Sequence, residues 1–103
     1  MPAGHNPLAS GEQKFQITHV SSKKFVRPKD GALKNDTLLV LHELSADDTW
    51  FIFEKAEKPS YSYIKHVASG KYIHPKGGWN RPWNNNKLVI YEKKHDACRF
   101  RAL

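Results

Sequence analysis

Ile64-Lys65-His66-Val67-Ala68-Ser69-Gly70-Lys71-Tyr72-Ile73-His74-Pro75-Lys76-Gly77-Gly78 restates a stretch met about 47 residues earlier. The earlier copy reads Ile17-Thr18-His19-Val20-Ser21-Ser22-Lys23-Lys24-Phe25-Val26-Arg27-Pro28-Lys29-Asp30-Gly31. A period between roughly 20 and 50 residues is the mark of a repeat architecture. The remainder of each unit returns as well. Leu39-Val40-Leu41-His42-Glu43 matches Leu88-Val89-Ile90-Tyr91-Glu92, and Phe51 matches Phe100. The chain is therefore two copies of one unit, and its function is to be sought where the copies differ.

Each copy reads as four short strands, because β-branched and aromatic residues run between turn formers. The expected strands are 14–20, 24–27, 37–42 and 49–54 in the first copy. In the second they are 61–67, 71–74, 87–91 and 97–102. Ser21-Ser22-Lys23 and Ala68-Ser69-Gly70 read as hairpin turns. Pro28 and Pro75 close the second strand of each copy, since proline cannot donate to a ladder. The segment 44–49 has room for a single helical turn. The fold expected is all-β and β-trefoil-like, made of two four-stranded repeats, 14–58 and 59–103, in one domain. A complete trefoil has three such units. Two leave open sheet edges, which are filled by another copy of the chain or covered by the polar arm 1–13.

Composition sets outer limits. With 103 residues the chain makes one domain at most. No apolar run reaches the ~18 residues of a membrane span. The N-terminal residues lack the apolar stretch of a signal peptide, so a soluble, cytoplasmic protein is expected, or one released by unconventional secretion. Cys98 is the single cysteine, which excludes an intramolecular disulfide and suggests a small core filler. The net charge of +7 favours anionic partners, yet the cations are spread over both copies rather than gathered in one block.

The last strands differ between copies. Trp50-Phe51-Ile52-Phe53 stands where Arg99-Phe100-Arg101-Ala102 stands in the second copy. Side chains alternate along a strand, so Phe51 and Phe53 are expected inward and Trp50 and Ile52 outward. Leu38 replaces Lys87 in the same sense. Leu38, Trp50 and Ile52 would then form an apolar outer patch on the first repeat, suited to a homo-oligomer interface.

The densest chemistry lies in the second copy. Pro75 keeps His74 extended, and Gly77 and Gly78 allow close approach of a ligand to the backbone. Trp79 and Trp83 offer indole faces for the apolar side of a pyranose, and Asn84-Asn85-Asn86 offer amide donors and acceptors. Lys76, Glu92, Lys93, His95 and Asp96 complete the candidate ligand-binding set. The first copy keeps a thinner version: Arg27, Lys29, Gly31 and Asp47. His19 and His66 hold equivalent places, which points to a structural role. No nucleophile–base–orienter set stands out, so an enzyme is not expected, and no histidine spacing suits a metal.

From Tyr63 onward these residues resemble the mussel galactose-binding lectins of the MytiLec type. The likeness is carried by Ile64-Lys65-His66-Val67-Ala68-Ser69-Gly70-Lys71, the His74–Gly78 motif, Asn84-Asn85 and His95. The first copy fits more loosely, through His19, Ser22, Lys24, Pro28, Lys29, Gly31 and Asn35. The resemblance implies a lectin that binds terminal galactose or N-acetylgalactosamine on glycoproteins or glycolipids, with no cofactor and no metal. It implies sugar contacts by His74, Gly77 or Gly78, and His95. The family's aspartate falls on Lys93, which exchanges a hydroxyl acceptor for a cation. The family also has three repeats. The alternative from charge alone is a polyanion-binding module for sulfated or sialylated glycan; nucleic acid is the less expected partner.

Overall fold

A computed structural model describes residues 13–77, 84–94 and 98–101. Nine strands appear in chain order: β1 (Phe15–Gln16), β2 (Thr18–His19), β3 (Lys24–Pro28), β4 (Thr37–His42), β5 (Trp50–Lys55), β6 (Ser62–His66), β7 (Tyr72–Pro75), β8 (Leu88–Tyr91) and β9 (Arg99–Phe100). Two 3-10 turns, Lys29–Gly31 and Asp47–Thr49, lie between the strands of the first repeat. The strands form a continuous antiparallel sheet in the order β1-β5-β6-β7-β8-β4-β3-β2, with β9 added to β6. This all-β architecture is consistent with a β-trefoil-like fold.

The registers reproduce the repeat. Phe25, Val26, Arg27 and Pro28 oppose His42, Leu41, Val40 and Leu39, and their matches Tyr72, Ile73, His74 and Pro75 oppose Tyr91, Ile90, Val89 and Leu88. Phe15↔Phe51 in the first copy corresponds to Ser62↔Phe100 in the second. Each expected strand has an observed counterpart, the last, 97–102, only as Arg99–Phe100 with 97 and 102 outside the described residues, and the first is divided. The first breaks at Ile17 because its two halves serve different partners: β1 pairs β5 and β2 pairs β3. β6 stays whole because β5 pairs with it from Ser62 to His66.

The two repeats are joined by β5 on β6, in the register Phe51↔His66, Ile52↔Lys65 and Phe53↔Ile64. A second junction sets β4 on β8 through Thr37↔Ile90 and Leu38↔Val89. There the Asp36 amide donates to the Ile90 carbonyl at 2.8 Å, and Asn35 Oδ1 accepts from the Glu92 amide at 3.1 Å. Thr49, fully buried, anchors the approach to β5. Its hydroxyl donates to the Ala46 carbonyl at 2.7 Å and accepts from Gln16 Nε2 at 2.9 Å.

The apolar outer patch expected on β5 is corrected here. Ile52 is 7% exposed while Phe53 is 39% exposed. By register Ile52 shares its side of the sheet with Glu54, Tyr63 and Lys65, the side on which Tyr63, Tyr72, Cys98 and Ala56 cluster. Both faces of β5 are covered between its neighbours. Only toward its end does Phe53 emerge, stacked on Phe15 at 4.4 Å between ring centroids. Trp50 is half-buried, and Leu38 is half-buried against β8, in a strand that does not pair with β5. The three residues therefore do not form one outward surface. Cys98 is fully buried in the aromatic cluster, as a core filler should be.

Candidate functional site

The site begins at the end of β7. Pro75 has no N–H to extend the ladder, so the chain turns there. Gly77 takes φ +87°, a conformation that costs a residue without Cβ little. Asn86 holds this turn to the start of β8: its Nδ2 donates to the Lys76 carbonyl at 3.0 Å, while its Oδ1 accepts from the Lys87 amide at 2.8 Å. The Lys76 amide donates to the Lys87 carbonyl at 2.8 Å. The turn is thus clamped from side chain and backbone together.

His74 forms the floor. Its residue is 2% exposed, and its Nε2 donates to the Lys93 carbonyl at 2.6 Å, which fixes a proton on that nitrogen. The ring stands edge-on to Tyr91, with centroids 5.4 Å apart. The sequence reading had this ring aimed at a ligand. In the structure its first task is to bind segment 92–94 against β7, so the two chain segments that carry the candidate residues are held together. Glu92 and Lys93 are exposed along that segment, and Lys76, Asn84 and Asn85 are exposed on the other. Gly78, Trp79, Trp83, His95 and Asp96 lie outside the described residues.

Sequence reading missed what lies beneath this segment. Lys94 Nζ donates to Glu54 Oε2 at 2.5 Å, and Tyr72 Oη donates to Glu54 Oε1 at 3.1 Å. The same ammonium lies over the Tyr63 ring at 5.3 Å and the Tyr72 ring at 5.9 Å. Partial burial pushes the Glu54 carboxyl up, but hydrogen bonds from Lys94 and Tyr72 outweigh it and hold the group below its ordinary value. The bond to Glu54 raises Lys94 in turn. Of the neighbouring pair Lys93 and Lys94, the second is therefore a tether and the first projects into water. Asn35, from the first repeat, is also part of the surround through its bond to the Glu92 amide. A carboxylate facing two tyrosines across paired strands was the available signal for Glu54. The repeat comparison hid it, because its match is Leu103.

In the first repeat the structure gathers Arg27, Gly31 and Asp48. Arg27 Nη1 and Asp48 Oδ2 are 3.5 Å apart. Gly31, at φ +71°, approaches so closely that a Cβ there would lie 3.2 Å from Asp48 Oδ2. Arg27 Nε and Asp48 Oδ1 are buried with no hydrogen-bond partner among the described residues. Lys29 is exposed in its 3-10 turn. Asp47, expected in this group, instead lines a cleft of ≈ 570 Å³ with Lys14, Trp50, Val67 and Ala68. The carboxylate that meets Arg27 is the next one along.

Among the described residues no group of His, Cys, Asp and Glu is placed to hold a metal ion, and no helix is long and apolar enough to cross a membrane.

Comparison with known proteins gives this geometry a family. The family model described as alpha-D-galactose-binding lectin, MytiLec, matches residues 15–102. An alpha-D-galactose-binding lectin of Mytilus galloprovincialis is 44% identical over 46 residues, 45% of this chain and 25% of that protein. Galactose-binding lectins of Crenomytilus grayanus and Mytilus trossulus are each 51% identical over 37 residues, 36% of this chain and 25% of each relative. The matched stretch thus spans a quarter of the length of these relatives. With both repeats inside the family match, and a family of lectins rather than enzymes, the chain belongs to the alpha-D-galactose-binding lectin family.

Proposed function

We propose that this chain binds the terminal galactose or N-acetylgalactosamine of glycoprotein and glycolipid glycans, without a metal, at the second-repeat site built on His74. The observation that carries the reading is the bond from His74 to the Lys93 carbonyl. It ties the Glu92–Lys94 segment to β7 two residues before the Lys76–Gly77 turn, which supports one site shared by both. A pyranose needs such an arrangement, with backbone and side-chain donors and acceptors fixed in advance for hydroxyls that both donate and accept.

Lys93 sets the specificity. Its ammonium can donate to a sugar oxygen and cannot accept from a hydroxyl. Glu92 is the exposed acceptor beside it. An exposed cation at this edge also suits a sulfated or sialylated neighbour of the terminal sugar, so charge adds to neutral recognition rather than replacing it.

The test is a glycan-array screen of wild type and His74→Ala, repeated at about 0.5 M salt, where exposed charges are screened. Salt-resistant binding to galactose-ended glycans that the substitution abolishes is the expected result. Binding to acidic glycans alone, lost in salt and indifferent to His74, would replace the reading with a polyanion-binding one.

A further inference from the structure

A cleft of ≈ 570 Å³ lies where the two repeats meet, apart from the site built on His74. One wall is Asp47 and Trp50, where the second 3-10 turn enters β5, with Lys14 ahead of β1. The other wall is Val67 and Ala68, in the turn from β6 to β7. Paired backbone frames it. The Val67 amide donates to the Trp50 carbonyl at 3.0 Å, His66 Nε2 donates to the Asp48 carbonyl at 2.7 Å, and Gln16 opposes Trp50 across β1 and β5. The Lys76–Gly77 turn is at the far end of β7, a strand of 4 residues, or roughly 13 Å at ~3.3 Å per residue. The cleft is a separate place on the molecule.

The polar side chains around this cleft fall into two groups. Gln16, Ser45, Thr49 and His66 bond to one another or to backbone carbonyls. Three groups that line the cleft do not. Among the described residues the Asp47 carboxylate, the Lys14 ammonium and the Trp50 indole N–H make no hydrogen bond or ion pair. A buried indole N–H ordinarily finds a partner, and Trp50 is half-buried. Its match in the second copy is Arg99, so the repeat pattern does not itself require an indole here.

We propose that this cleft binds a neutral disaccharide unit of a glycan, as a second saccharide site independent of His74. A pyranose presents an apolar C–H face to the indole, hydroxyl donors to Asp47, and oxygen acceptors to Lys14 and the Trp50 N–H. Val67 and Ala68 supply the apolar side of the opposite wall. A purely apolar ligand would strip water from the carboxylate and the ammonium and leave both unpaired. An anionic glycan would bring its charge beside Asp47, and the lining's one cation and one carboxylate cancel. The size also fits, since pockets of about 300–1,000 Å³ take ligands of more than one ring. A single hexose covers only part of the cleft and binds it correspondingly weakly.

The test is a nuclear magnetic resonance titration with lactose, maltose, cellobiose and N,N′-diacetylchitobiose, each to about 50 mM. At least one of them is expected to shift the Trp50 indole N–H, assigned by its loss in Trp50→Phe, together with the Val67 and Ala68 amides. Asp47→Ala, at an exposed position, should leave the fold intact and weaken that binding about tenfold, as loss of a charged hydrogen-bond acceptor does. The readouts keep the two sites apart. The amides of Lys76 and Glu92–Lys94 report on the His74 site, and maltose and cellobiose carry no galactose for it. Shifts at the cleft with those amides silent toward lactose would uphold this proposal and remove the other. Silence of Trp50, Val67 and Ala68 toward all four sugars would overturn it. So would shifts indifferent to Asp47→Ala, or equal shifts from L-leucine, whose paired charges satisfy Lys14 and Asp47 without a sugar.

Discussion

Two turns built on the same pattern occupy opposite situations in this molecule. In the first repeat His19 Nδ1 meets Ser22 Oγ at 2.8 Å, and in the second His66 Nδ1 meets Ser69 Oγ at 2.7 Å. The serine oxygen then accepts from the Lys24 or Lys71 amide. Locally the two are alike. Yet His66 is completely buried under Phe51 and bonded to the Asp48 carbonyl, while His19 stands in water. The difference is made by the neighbour and not by the turn. A local hydrogen-bond motif sets the backbone path, and the preceding unit decides what that path is worth in stability.

The largest effect should come from breaking that asymmetry at its centre. His66→Ala removes a packed ring, strands the Asp48 carbonyl and loosens Ser69, at a cost of about 3 kcal/mol. His19→Ala should change stability by no more than about 0.5 kcal/mol, as exposed positions do. Urea unfolding reads both. Equal losses would mean that the local motif, not the junction, carries the stability.

Acid should act mainly on the second repeat and its junction. Burial lowers the pKa of His66 from its ordinary 6.5, against the opposing pull of its bond to Asp48. A buried base with a lowered pKa contributes stability that is complete above its unfolded value and is lost as pH falls toward the folded one. A first decline in stability is therefore expected below pH 6.5, and it should vanish in His66→Ala. Glu54 behaves in the same direction further down. Its contribution is full above the ordinary 4.5 and is lost as pH drops through the lowered folded value. Glu54→Gln should flatten that lower limb and cost about 1 kcal/mol at neutral pH, since the pair is partly solvated. Lys94 has the opposite sign, losing its contribution only as pH rises through its raised pKa.

The smallest effect sharpens the comparison within the turns. Lys23 holds φ +62° where Gly70 holds φ +71°. A side chain pays roughly 1 kcal/mol for that left-handed backbone, so Gly70→Ala should destabilise by about that much although nothing lies near its Cβ. Lys23→Gly should stabilise slightly, by at most about 1 kcal/mol. Thermal melts of the two variants should move in opposite directions.

Much of this was legible in the residues. Repetition, alternation and the two prolines placed every strand, and the equivalence of His19 and His66 marked a structural pair. The burial of Ile52 was not legible, because alternation tells which side chains share a face and not whether that face is covered. The Glu54–Lys94–Tyr72 tie joins residues 18 and 40 apart in sequence and exists only once β5, β7 and segment 92–94 converge. The exchange of Asp47 for Asp48 beside Arg27 turned on one residue in a 3-10 turn, where successive side chains diverge by a third of a revolution. The motif at 74–78 was read as chemistry, and the structure adds the mechanical part of its work: His74 holds the site's two segments together.

The most direct test of the account is a nuclear magnetic resonance titration of the amide groups with D-galactose, alongside Lys93→Asp, which keeps the backbone carbonyl that binds His74. The account predicts shifts concentrated at Lys76, Gly77 and Glu92–Lys94, with little change at Arg27–Gly31. It also predicts tighter galactose binding in Lys93→Asp, where a carboxylate can accept from the sugar's hydroxyls. Shifts confined to the first repeat, or no shifts at any galactose concentration in either protein, would contradict it.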